Sequence, residues 1–87
     1  MSHSLKTENV IYPNPSKGSF SVLFASSEIV RKQLKLTDVY GKVILEKTVP
    51  SGESKALINI KVNAGVYYLT ITNSNTGKQD VKKVIIE

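Results

Sequence analysis

The sequence predicts an all-β domain, a sandwich of seven antiparallel strands in two sheets. Three observations predict it. Apolar residues recur with a period of two, and no segment sustains a period of 3.6. Turn-forming residues interrupt these runs at the spacing of an all-β chain. A chain of 87 residues carrying seven such runs buries their apolar sides by packing two sheets face to face.

The first strand, 10–12, is Val-Ile-Tyr and stops at Pro13-Asn14-Pro15. Both prolines lack a backbone donor, and Asn14, preceding a proline, is pushed out of the helical region. Ser16-Lys17-Gly18 turns the chain into a strand at 19–24, where Phe20, Val22 and Phe24 share one face. Ser26-Ser27 marks the next turn. A strand at 30–37 places Leu34 and Leu36 on one face, and Tyr40-Gly41-Lys42 folds it back into 42–49 with Val43 and Leu45 inward. Pro50-Ser51-Gly52 leads to 54–62, with Ile58, Ile60 and Val62 in alternation. Asn63-Ala64-Gly65 leads to 66–73, where Tyr67, Leu69 and Ile71 face inward. Asn73-Ser74-Asn75-Thr76-Gly77 connects to the last strand, 79–86, with Val84 and Ile86 inward. The expected core is Phe20, Val22, Phe24, Leu34, Leu36, Val43, Leu45, Ile58, Ile60, Tyr67, Leu69, Ile71, Val84 and Ile86.

Composition sets further bounds. A domain of this size has a modest core, and with no cysteine it has neither a disulfide framework nor a thiolate metal site. No apolar run of about 18 residues exists to span a membrane. Met1-Ser2-His3-Ser4 reads as a cloning remnant, so residues 1–8 are expected to be remnant and linker, and 9–87 the domain. The net charge is +5, but eleven of the twelve basic residues are lysines, spread through the chain. Lysines suit solvation better than bidentate phosphate recognition, and nucleic-acid binding is not expected.

Catalytic chemistry finds little support. The single histidine, His3, lies in the remnant, and Asp38, Glu46 and Glu53 fall on different strands or turns. Asp38 is placed to bond turn amides in Asp38-Val39-Tyr40-Gly41-Lys42. The 73–77 turn offers oxygens but no carboxylate before Asp80, too few for calcium. No cofactor or metal is expected. Of the four tyrosines, Tyr67 is read as core, Tyr12 as packed beneath the Pro-Asn-Pro turn, and Tyr40 and Tyr68 as exposed.

Four motifs stand in order: Tyr12-Pro13-Asn14-Pro15 with Gly18; Leu36-Thr37-Asp38 followed by Gly41-Lys42-Val43; Gly65-Val66-Tyr67-Tyr68-Leu69 with Ile71; and Lys83-Val84-Ile85-Ile86 at the end. In this order and spacing they resemble the type A C-terminal sorting domain of type IX secretion cargo, the Por secretion tail of Bacteroidetes proteins, over about residues 9–87. The resemblance implies an Ig-like sandwich that serves as an address and not as a catalyst. It implies an upstream signal peptide, passage through the periplasm, and delivery to the outer-membrane translocon and its shuttle proteins. It also implies removal of the domain by a sortase-like peptidase cutting at or upstream of residues 5–10, with the cargo reaching the cell surface or the medium. The residues it marks for recognition are Tyr12, Pro13, Asn14, Pro15, Gly18, Asp38, Gly41, Lys42, Gly65, Tyr67, Lys82, Lys83, Val84, Ile85 and Ile86.

If 79–86 is an edge strand, its free backbone groups are available to a receptor strand or to a second copy of the domain. The alternative is that Lys83-Val84-Ile85-Ile86 only closes a sheet. A different function, an Ig-like or fibronectin-like adhesion or glycan-binding module, would use Tyr40 and Tyr68.

Overall fold

The computed structural model describes residues 8–25 and 30–87. The segment 1–4 expected to be a remnant, with His3, and the turn expected at Ser26-Ser27 lie outside the described residues. Seven strands follow in order: β1 (Val10–Tyr12), β2 (Ser19–Leu23), β3 (Lys32–Asp38), β4 (Val43–Val49), β5 (Lys55–Asn59), β6 (Gly65–Asn73) and β7 (Gln79–Ile86). They form a three-stranded sheet, β1-β2-β5, and a four-stranded sheet, β4-β3-β6-β7. All pairings between strands are antiparallel.

The core lies between the sheets and is built by alternation. Phe20 and Val22 of β2, with Ala56 and Ile58 of β5, face Leu34, Leu36, Leu69, Ile71 and Val84 across the sandwich. Phe24 lies just beyond β2 but stays buried, because its N–H bonds Ser54 O at 2.9 Å and extends the ladder by one residue.

Three core expectations are corrected. Val43 is 44 % exposed. The β3–β4 register shifts between Leu36 and Thr37, and such an irregularity moves a side chain out of the inward phase. Leu45 and Ile60 pack only partly against the core, and β5 ends at Asn59, three residues short of the expected 62. In their place Val49 and Ala56 are buried, and so is Lys32, which has no exposed surface. The Lys32 Nζ donates to Val30 O at 2.8 Å and lies 4.4 Å from the centre of the Phe24 ring. Its stem therefore belongs to the core while its ammonium takes a carbonyl and an aromatic face. Tyr12 is 43 % exposed rather than packed beneath the proline turn.

No helix long and apolar enough to cross a membrane occurs among the described residues.

Candidate functional site

The Pro13-Asn14-Pro15-Ser16 segment crosses from one sheet to the other. β1 brings it off the three-stranded sheet, and both X–Pro bonds, Tyr12–Pro13 and Asn14–Pro15, are cis. It then lies along the outer edge of β7. The Asn14 side chain copies a backbone amide: its Oδ1 accepts from Ile85 N–H and its Nδ2 donates to Lys83 O, both at 2.9 Å. Ser16 adds a parallel bridge, its N–H donating to Ile85 O at 2.9 Å and its C=O accepting from Glu87 N–H at 2.7 Å. Asn14 is flanked by prolines that lack a backbone donor, so its side chain supplies the missing donor and, beside it, an acceptor for Ile85 N–H.

Of the two readings of the terminal strand, a free edge or a closed sheet, the strap takes up the 83–87 end of the edge. β7 is an edge strand, but its outward groups at Lys83 O, Ile85 and Glu87 N are occupied. Further along, Asn9 ties the same two sheets together. Its Nδ2 donates to Asp80 Oδ2 at 2.9 Å and its Oδ1 accepts from Ala25 N–H at 2.8 Å. Lys82 sits 3.7 Å from Glu8 and 3.8 Å from Asp80, contacts of small weight at the surface.

The remaining motifs gather at the same end. Gly18 is buried with φ +114°, and an added Cβ would run into the Ile60 carbonyl oxygen. Ile60 N–H in turn donates to Gly18 O at 2.8 Å. Asp38 Oδ1 accepts from the N–H groups of Tyr40 and Lys42, each at 2.9 Å, as its position before the turn predicted. Gly41 has φ +87° with open space around it. Tyr67 OH donates to Asn63 O at 2.7 Å and holds the turn into β6. The register places Asp38 opposite Tyr67 and Tyr67 opposite Val84, with Gly65 opposite Ile86. Motifs spread from residue 12 to residue 86 thus meet at one end of the sandwich.

Their exposure divides them. Tyr12, Pro13, Asn14, Pro15, Gly41, Lys42, Gly65 and Lys83 are exposed, and Asp38, Lys82 and Ile85 are half-buried. Gly18, Tyr67, Val84 and Ile86 are buried, so they build the surface without being part of it. Sequence reasoning missed Ser16, Asn9 and Lys32. Ser16 and Asn9 carry only local turn signals, and the partners they find in and just after β7 lie about 70 residues away. Tyr40 is 91 % exposed at its hairpin tip, beside Val39 at 57 %, and Tyr68 is 37 % exposed.

Among the described residues no group of His, Cys, Asp and Glu is placed to hold a metal ion.

Comparison with curated protein sequences found no match. Among solved structures the chain is similar to PorZ of Porphyromonas gingivalis, described as an essential bacterial surface component of the type IX secretion system. The TM-score is 0.73 at 17 % identity. The similarity covers 91 % of this chain and 11 % of PorZ, so the chain corresponds to a small part of that protein. At this identity the likeness concerns the fold, and it agrees with the Ig-like sandwich. The family model for the secretion system C-terminal sorting domain, the Por secretion tail, matches residues 10–87, from the first residue of β1 to the end of the chain. The chain therefore belongs to the family of C-terminal sorting domains that carry proteins into type IX secretion.

Proposed function

We propose that the type IX machinery reads this domain as a folded address, at the end of the sandwich where the strap, the β3–β4 turn, the start of β6 and the end of β7 meet. The observation that supports this most is the convergence of four sequence-distant motifs on one surface. Asn14 and the Lys83–Ile85 backbone stand at its β7 edge. Tyr12, Pro13, Pro15, Lys42 and Lys83 are its exposed side chains. Gly18, Tyr67, Val84 and Ile86 hold it in shape from below.

In this reading the partners are translocon and shuttle proteins, met in the periplasm on the way to the outer membrane. A sortase-like peptidase then separates cargo from domain in the segment preceding β1. The domain contributes recognition and no catalysis. Pairing of two copies through β7 is not part of this reading, because the strap already occupies the 83–87 end of that edge.

The test is export of a fluorescent periplasmic reporter fused to residues 9–87, in a type IX-competent strain and its translocon-null mutant. Translocon-dependent appearance at the surface with the domain removed is expected. The double substitution Lys42→Glu with Lys83→Glu, at two exposed positions, should cut export about tenfold, a coupling of about 1.4 kcal/mol, with an unchanged melting temperature. Retention of a folded fusion in the periplasm would overturn the sorting role. Full export of the charge-reversed domain would overturn this choice of surface.

A further inference from the structure

The strap covers the 83–87 end of the β7 edge and Asn9 ties β7 to the other sheet through the Asp80 side chain, whereas the β4/β5 side has no such strap among the described residues. On that side the phase of β5 is fixed by two bonds of its ladder. Phe24 N–H donates to Ser54 O and Ile60 N–H to Gly18 O. With Ser19 opposite Asn59 and Leu23 opposite Lys55, the main chain of Ser54, Ala56, Ile58 and Ile60 turns toward β2. Alternation then turns the N–H and C=O groups of Lys55, Leu57 and Asn59 outward. β5 ends its sheet, and these six groups have no hydrogen-bond partner among the described residues.

The other edges carry devices that discourage pairing. β7 has its strap, β1 is three residues long, and β4 has an irregular register with Glu46 and Lys47 exposed. β5 has none of these at its centre, where Leu57 is 66 % exposed. Beside it, between β4 and β5, runs a groove of about 430 Å³ lined by Val49, Pro50, Ala56 and Leu57 together with Lys47, Glu53 and Lys55. An added strand sends every second side chain to the inner side of the sheet, and on this edge that side is the groove.

We propose that β5 is a strand-accepting edge that takes an extended peptide of a partner protein, with alternating apolar and acidic residues, as an eighth strand. Backbone pairing with Lys55, Leu57 and Asn59 supplies the affinity, as in other strand-addition complexes. An apolar side chain fills the groove against Val49, Pro50 and Ala56. Acidic residues meet Lys47 and Lys55, in keeping with the net charge of +5. A second copy of this chain fits the edge less well. Its own β5 would bring Ala56 and Ile58 inward, and those are committed to their own core, so the groove would stay empty. The groove lies toward the 47–57 end, away from the β3–β4 turn and the end of β7, while Leu57 and Asn59 also line a shallow pocket with Tyr12 and Pro13 of the proposed sorting surface.

The test is an NMR titration of the isotope-labelled chain with a capped heptapeptide of alternating Val and Glu. Shift changes are expected at 47–50 and 53–59, with slowed amide exchange at Lys55, Leu57 and Asn59. The same peptide with Lys for Glu should bind at least about tenfold more weakly, as should the Leu57→Pro variant. Leu57→Pro removes an outward N–H and no bond to β2. If that variant fails to fold, Leu57→Asp, which keeps the backbone donors but adds charge repulsion, should show the same loss. No response at millimolar peptide, equal binding of the lysine peptide, or a response centred on 81–87 would overturn the proposal. So would concentration-dependent shifts at 55–59 without peptide, which would identify a second copy as the occupant.

Discussion

Gly18 and Gly41 both have positive φ, at +114° and +87°, yet their surroundings differ. At Gly41 the only penalty for a side chain is the left-handed backbone, because nothing lies within reach of an added Cβ. At Gly18 the Cβ would meet the carbonyl oxygen of Ile60, which belongs to the chain that Gly18 itself pairs with. Gly41→Ala should therefore cost about 1 kcal/mol. Gly18→Ala should cost about 2–5 kcal/mol, the sum of backbone strain and a contact that has to open. Urea unfolding of the two variants checks this, and equal midpoints would contradict it. The turn role of Asp38 was evident from its position before Tyr40-Gly41-Lys42. The clash at Gly18 was not, since Ile60 is 42 residues away in sequence.

At the scale of elements, the strap and β7 act as a unit. Four hydrogen bonds join them, each of about 0.5–1.5 kcal/mol net. Asn14→Ala removes two of these at an exposed position and should lower stability by about 1–2 kcal/mol. Asn14→Asp keeps the acceptor for Ile85 N–H, loses the donor to Lys83 O, and should fall between alanine and the native residue. Thermal melts of the three proteins order them. Truncation before Lys83 is a different experiment. Val84 and Ile86 are almost fully buried, and removing two large core side chains from a domain of this size exceeds the few kcal/mol that hold it together. The truncated chain should show no cooperative melt in near-ultraviolet circular dichroism. A secretion defect caused by that truncation would therefore report unfolding, whereas substitutions at exposed Lys83 report recognition. A cooperative melt of the truncated chain would show that β7 is dispensable to the fold.

Across the whole molecule the two sides of the sandwich differ. One is tied by Asn9, Asn14 and Ser16, and the other leaves the outer edge of β5 without a partner strand. Amide hydrogen exchange should resolve this directly. The amides of Ser16 and Ile85 should exchange slowly, through opening of the strap with β7. Those of Lys55, Leu57 and Asn59 should exchange near the rate of an unstructured chain, although all three lie within a strand. Equal protection on both sides would mean that another part of the chain covers β5.

The sequence by itself determined the strand periods, the turns between them and the family. Alternation over β2, β3, β6 and β7 follows from the pleat, and the 10–12 and 79–86 strands stand where the pattern placed them. Those signals are local, because a side chain's face and a turn's geometry depend on neighbouring residues. Tertiary structure alone decided which strands became edges, and it closed one edge with an asparagine side chain about 70 residues away in sequence. It also buried Lys32 among apolar residues and turned Val43 outward through a register shift. Each of these outcomes depends on which backbone groups meet across the sandwich. Chain closure and packing settle that, and no local pattern of residues records it.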